Sequence, residues 1–152
     1  METRFMQIDE VDEVVELLHN AFNKERQVNL IRQDVIAMFT PNQWIKPMYL
    51  VKQVHGEIVS VVGYSQGVID FNNYGIFWVA TKKAHEGKGY CTELINTVLH
   101  NISQECNDAV VQLSCKKKLK PFYQRFGFDF IDIREFDGAY LMRINLNTAK
   151  AA

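Results

Sequence analysis

The stretch "AHEGKGYC", residues 84–91, sets Gly87 and Gly89 at the start of a segment whose later residues recur at helical spacing. Glycine weakens a helix, so two of them at its opening ask for a reason other than helix stability. Anion binding supplies one. The first amides of a helix lack an acceptor inside it, and the helix dipole adds about half a positive charge at that end. Glycine also lets a phosphate approach the backbone and permits a left-handed φ. The charge around the loop agrees. Eight of the 17 Lys and Arg lie between residues 82 and 125 (Lys82, Lys83, Lys88, Lys116, Lys117, Lys118, Lys120 and Arg125), against four acids (Glu86, Glu93, Glu105 and Asp108). A chain of net charge -1 therefore has a cationic half suited to a small, multiply phosphorylated ligand. Taken by themselves, the same residues also describe a plain loop and solvated lysines. "EGKGYCTE" is neither the phosphate loop ending in GK[ST] nor a GxGxxG opening a chain-initial βαβ unit.

Other reactive side chains give weaker patterns. His85-Glu86 does not belong to an HExxH motif, and His19 and His100 have no partner at metal-ligand spacing, so no metal is expected. Three cysteines (Cys91, Cys106 and Cys115) form no paired spacing, which argues against a disulfide framework and for a reducing, cytoplasmic setting. Cys91, at a helix start, is a conceivable nucleophile if its pKa is depressed there; a buried structural thiol is the alternative.

These residues need a scaffold. At 152 residues and 47% hydrophobic composition, the chain reads as one domain over 1–146 with a frayed tail from 147. Its apolar runs are too short to span a membrane, no secretory leader is visible at the start, and the near-neutral charge shows no global bias toward nucleic acid. A first strand "RFMQI" precedes a helix carrying Val11, Val14, Val15 and Leu18, with Asp9 as its expected cap. "NLIRQDVIAMF" follows as a second helix. Two strands flank His55-Gly56, "DFNN" turns, and "YGIFWVAT" is the strand that leads into the glycine loop. Residues 91–102 carry an apolar stripe of Cys91, Leu94, Ile95, Val98, Leu99 and Ile102. "DAVVQLSC" is a buried strand, and "LKPFYQRF" a helix ended by Gly127. Two strands close the chain around Asp137-Gly138. The order is β-α-α-β-β-β-α-β-α-β-β, a mixed α/β (α+β) fold around one sheet.

"WVATKKAHEGKGYCTELI" followed by "KPFYQRFGF" resembles the GCN5-related N-acetyltransferase (GNAT) superfamily, and the order of elements extends the likeness over nearly the whole chain. The resemblance implies a mostly antiparallel, mixed, twisted sheet flanked by helices, and acetyl-CoA as co-substrate. Glu86 stands where the family's [QR]-x-x-G-x-[GA] loop has Gln or Arg, Gly89 at its central Gly, and Cys91 at its last small residue. The loop Glu86, Gly87, Lys88, Gly89, Tyr90 and Cys91 would then hold the diphosphate, and the backbone of Val79 and Thr81 would run beside the pantetheine arm. Tyr123 falls on the family's tyrosine and Phe122 on the aromatic before it, while Lys116 replaces a frequent Asn and Leu119 an Ala. Glu86 is a departure that sets a carboxylate near phosphate oxygens.

The implied reaction is direct acetyl transfer to a primary amine. The amine must be neutral, the developing oxyanion needs a donor such as an amide near Val79, and the departing thiolate benefits from an acid, a role that suits Tyr123. No carboxylate or His lies on "YGIFWVAT", which leaves Tyr74, Tyr64, Asp70 and His55 as stand-in bases, and His85 reads as a surface or packing residue. A small-molecule amine is favoured over a protein or peptide amine, with residues 20–47 as one wall of its site, whose mixed charges and aromatics do not specially favour a polyamine or aminoglycoside, and a homodimer conceivable. A non-catalytic acyl-CoA sensor, or a domain that only binds partners, is the reading from other classes.

Overall fold

The computed structural model describes residues 1–22 and 27–147. Asn23 to Arg26, within the expected acceptor wall, and residues 148–152 of the expected tail lie outside the described residues, while Asn147, the first residue of that tail, instead ends a strand, paired with Asp108.

After strand β1 (Glu2–Phe5) the chain makes a short 3-10 turn and enters helix α1 (Val11–Ala21). Asp9 does not cap that helix as expected. It sits inside the turn, and Glu10 instead accepts the Gln7 amide at 2.8 Å while its carboxylate clamps Arg4 through two bonds of 2.7 Å. Helix α2 (Val28–Ile36) follows, then β2 (Met48–Val54), β3 (Glu57–Gln66) and β4 (Asn73–Thr81). Helix α3 (Tyr90–Glu105) leads to β5 (Asp108–Cys115), the short helix α4 (Lys120–Gln124), β6 (Asp129–Ile133) and β7 (Tyr140–Asn147). The expected helix over 119–126 is thus shorter. A 3-10 turn at Lys117–Leu119 comes first, and Pro121 sits in its first turn, where a missing N–H costs nothing. Gly127 takes φ 102, the left-handed conformation expected of a helix stop.

The seven strands form one sheet in the order β1-β2-β3-β4-β5-β7-β6. All neighbours are antiparallel except β4 and β5, which run parallel, as a helical crossover through α3 requires. That parallel pairing is brief: Asn73, Tyr74 and Gly75 meet Val110, Val111 and Gln112, and beyond them the two strands part. From Ile76 to Thr81, β4 has no β5 partner among the described residues.

Helices cover the sheet from both sides. Val14, Val15, Leu18, Ile31 and Val35 of α1 and α2 pack on β2 to β4, and Leu94, Ile95, Val98 and Ile102 of α3 pack on the other face. The α3 side chains are 0% exposed, each contributing about 1.5–3 kcal/mol through removal from water. No helix among the described residues is long and apolar enough to cross a membrane.

Candidate active site

The loop between β4 and α3 places its glycines as anion binding requires. Gly87 has φ 77 and Gly89 φ 82, a region other residues enter only at a cost. A Cβ at either position would meet nothing within 4 Å, so the backbone faces open space there. Gly89 caps α3 without any side chain serving its free amides, and the ladder begins only when the Glu93 N–H donates to the Gly89 carbonyl at 3.0 Å. The amides of Tyr90, Cys91 and Thr92 precede it and can receive an acceptor from outside.

A cleft of about 670 Å³ opens beside this loop, between Thr81 to Lys83, Glu86 and Lys118 on one wall and Glu13, Glu16 and Asn20 of α1 on the other. Its walls differ in charge. Lys82 is held by Glu57 at 2.5 Å, which leaves Lys83 and Lys118 as the cations of the loop wall. Glu86 is exposed and lines the same wall, so the departure read in the sequence stands in the cleft itself. Glu13 is turned to the sheet, accepting the Ile58 amide at 2.8 Å.

Helix α3 is tied down where the loop enters it. Lys52, on β2, is 6% exposed, and its ammonium sits 2.8 Å from Glu93 in the first turn of α3. Thr3 adds a 2.6 Å bond to the same carboxylate, and the ammonium lies 5.6 Å from the centre of the Tyr90 ring. The Lys52 hydrogen bond pulls the Glu93 pKa below its ordinary value. Lys52 and Glu93 stand 41 positions apart and went unread in the sequence; the available signal was a lysine on the inward side of the apolar run "MYLVKQV". On the other flank, His85 tilts against Tyr90 with ring centres 6.4 Å apart, Nε2 4.0 Å from Glu57, and a buried Nδ1 without a hydrogen-bond partner among the described residues.

In its ladder with β3, the same stretch of β4 that lacks a β5 partner, residues 76–81, contains a bulge. Val61 pairs with Ala80 and Gly63 with Phe77, so Val62 opposes both Trp78 and Val79. Two consecutive side chains, Phe77 and Trp78, then pack on the α1 and α2 side, while Ile76 and Val79 pack on the α3 side. Trp78 takes φ 49, strained for a bulky residue and held by its surroundings. A bulge leaves one backbone unit outside the ladder, here on a stretch already free of β5.

Val79, Cys91, Phe122 and Tyr123 meet in one apolar cluster with Cys115. Tyr123 is 4% exposed. Its ring meets Phe122 edge-on at 5.0 Å and Phe128 at 6.0 Å. Burial pushes its phenol well above the usual value, and the neighbouring thiols of Cys91 and Cys115 push the same way. The group is therefore a neutral donor at physiological pH. Burial likewise pushes the Cys91 thiol up to about 11, against the opposing pull of a hydrogen bond with Thr81. A thiol shifted this way is not activated, which favours the buried structural reading of Cys91 over the nucleophile. Lys116 is exposed ahead of the turn that leads into α4.

The expected bases do not gather here. Burial raises Tyr64 and Tyr74, and both hydroxyls face α3, toward Asn101 and toward Glu105 at 3.0 Å. Asp70 lines a separate pocket with Trp44 and Phe71, and His55 lies in the β2–β3 turn with φ 50. The carboxylate that does reach the β4 bulge is Asp34 of α2, which accepts the Trp78 indole N–H at 3.0 Å.

Several solved structures share this fold. An aminoglycoside 6'-N-acetyltransferase complexed with coenzyme A aligns with a TM-score of 0.80 at 11% identity, over 95% of this chain and 97% of its own. Escherichia coli ElaA aligns with a TM-score of 0.72 at 19% identity, over 93% and 97%. An acyl-CoA N-acyltransferase from Pseudomonas aeruginosa gives 0.69 at 18%, over 93% and 96%. At such identities the likeness is one of fold. No curated protein matches the chain by sequence. The sequence model of the acetyltransferase (GNAT) domain matches residues 2–131, and the chain belongs to the GNAT family of acetyltransferases.

Proposed function

We propose that the protein binds acetyl-CoA along the open edge of β4 and transfers its acetyl group directly to a primary amine of a small molecule. One observation carries this reading: the free amides at the start of α3 and the bulged stretch of β4 free of β5 are continuous through the loop of Gly87 and Gly89. The residues fit the co-substrate, because the glycine positions leave open space beside amides that lack acceptors.

Gly87 to Cys91 would receive the diphosphate, with Lys88, Lys83 and Lys118 adding positive charge. Val79 and Thr81 would offer backbone groups to the amide-bearing arm, and Phe122 would flank it. Glu86 opposes this field, so affinity should be lower than in a loop with Gln or Arg there. Once bound, the thioester supplies an electrophilic carbonyl carbon. The amide freed at the Trp78–Val79 bulge is the donor for negative charge developing on the carbonyl oxygen. Tyr123, held neutral by burial, donates a hydrogen bond to the departing sulfur. Its raised pKa suits it to that role better than to complete proton release. The aminoglycoside enzymes among the structural neighbours support a small amine as acceptor.

Isothermal titration with acetyl-CoA and with CoA lacking its acetyl group tests the cofactor site, and an amine-dependent release of CoA tests transfer. Binding of both ligands followed by amine-dependent turnover is expected. Absence of binding would reduce the glycines to a turn, and binding without turnover on any amine would leave a sensor.

A further inference from the structure

Asp34 has an arrangement that packing alone leaves unexplained. It lies on α2, two tethers fix it over the β4 bulge, and it remains exposed. The Trp78 indole donates to its Oδ2 at 3.0 Å, and the Tyr49 hydroxyl donates to its backbone carbonyl at 3.2 Å. Trp78 in turn meets Phe22, at the end of α1, edge-on with centroids 5.1 Å apart. Its strained φ of 49 is thus maintained by contacts from both helices. The second carboxylate oxygen has no hydrogen-bond partner among the described residues. A charged carboxylate beside an electron-rich indole, exposed and held in place, is the chemistry that receives an organic cation.

Resting on the transferase reading above, we propose that Asp34 and Trp78 seat a positively charged group of the acceptor, and that the acceptor carries at least two amino groups. The second amine follows from acid–base logic. A carboxylate stabilises the ammonium form of an amine it holds and raises its pKa, which keeps that amine from attacking. The group at Asp34 therefore orients the molecule, while a different, neutral amine reaches the thioester. Asp34 acts here as a specificity-determining residue and takes no proton in the reaction.

Asp34→Asn separates this role from a structural one, since the amide oxygen still accepts the indole N–H while the charge is gone. The binding probes are 1,4-diaminobutane and its uncharged isostere 1,4-butanediol, titrated into protein saturated with CoA lacking the acetyl group, so that no turnover intervenes. Wild type is expected to bind the diamine about fivefold more tightly or better, as an exposed ion pair with cation–π support allows. In Asp34→Asn that ratio should fall to near one, with CoA affinity and Tm unchanged. Equal affinities in wild type, absence of diamine binding, or a preference that survives in Asp34→Asn would each overturn the proposal. Acetylation assays with 1,4-diaminobutane and 1-aminobutane, whose one amine stays protonated when held at Asp34, keep the two readings apart. Diamine preference without product would remove transfer and leave the seat, whereas product formed with no preference would remove the seat and leave transfer.

Discussion

Tyr123 and Cys91 touch the same apolar cluster, and burial acts on both, with different consequences. For Tyr123 it preserves a donor: Tyr123→Phe removes only the hydroxyl from a ring packed by Phe122 and Phe128. The expected outcome is a kcat lower by about a hundredfold, with acetyl-CoA affinity nearly unchanged in titration. Undiminished turnover would take Tyr123 out of the mechanism. For Cys91 burial removes reactivity. With its thiol pushed from an ordinary 9.0 to about 11, the folded protein holds a proton that the unfolded chain gives up in that interval. The sign follows: the contribution is intact below pH 9 and is lost as pH rises toward 11, by up to about 3 kcal/mol. Denaturant unfolding from neutral to strongly alkaline pH should show this loss in wild type and less of it in Cys91→Ala. Thiolate absorbance that rises below pH 9 in the folded wild type and is missing from Cys91→Ala would contradict the assignment to Cys91.

At the scale of elements, the loop and the first turn of α3 carry two separable predictions. Gly89→Ala adds a methyl group that meets no protein atom, yet forces alanine to φ 82. The strain costs about 1–2 kcal/mol, and the methyl group intrudes where phosphate is proposed to lie. A modest fall in Tm with at least a tenfold loss of acetyl-CoA affinity is expected. A drop in Tm alone would move the phosphate elsewhere. Glu93→Gln leaves the buried ammonium of Lys52 without its counter-charge, a loss of about 1–3 kcal/mol because the Glu93 carboxylate is itself half-exposed, whereas replacing both Lys52 by Met and Glu93 by Leu should cost less. Urea denaturation of single and double variants reads this difference directly.

These elements also show what a sequence discloses. The stripe Leu94, Ile95, Val98 and Ile102 and the glycines 87 and 89 are local patterns, so their helix and loop were legible. So were the order of strands, the Tyr123 helix and the Gly127 stop, with ends displaced by a few residues. The Trp78 bulge was not. A tryptophan at φ 49 contradicts its own propensity, and only contacts from Phe22 and Asp34, remote in sequence, hold it there. Lys52 and Glu93 were hidden for the same reason, as partners chosen by the sheet rather than by spacing. The raised pKa of Cys91 depends on how deeply α3 packs, which no motif states.

For the molecule as a whole, acid is the expected weakness. Glu10, Glu57 and Glu93 have pKa values pulled below 4.5, chiefly by hydrogen bonds to Arg4, Lys82 and Lys52, and Arg134 lowers Asp137 to about 2. Each folded-state value lies below the unfolded one, so the unfolded chain takes up more protons in acid. Stability should be level from neutral pH down to about 4.5 and decline from there toward pH 2. A flat stability curve across that range, measured by urea midpoint at fixed ionic strength, would show that these pairs carry no net linkage.

The brief contact of β4 with β5 gives the protein a seam. Three residue pairs join the sheet's first four strands to its last three, and α3 spans the line between them. Amide hydrogens of residues 76–81 on the β5 side have no partner strand among the described residues to shield them, so in the ligand-free enzyme they should exchange with deuterium well before their neighbours on β3. A molecule laid along that edge would act as a temporary eighth strand, slowing the exchange and coupling the two half-sheets, so that occupancy becomes visible as cooperativity of unfolding.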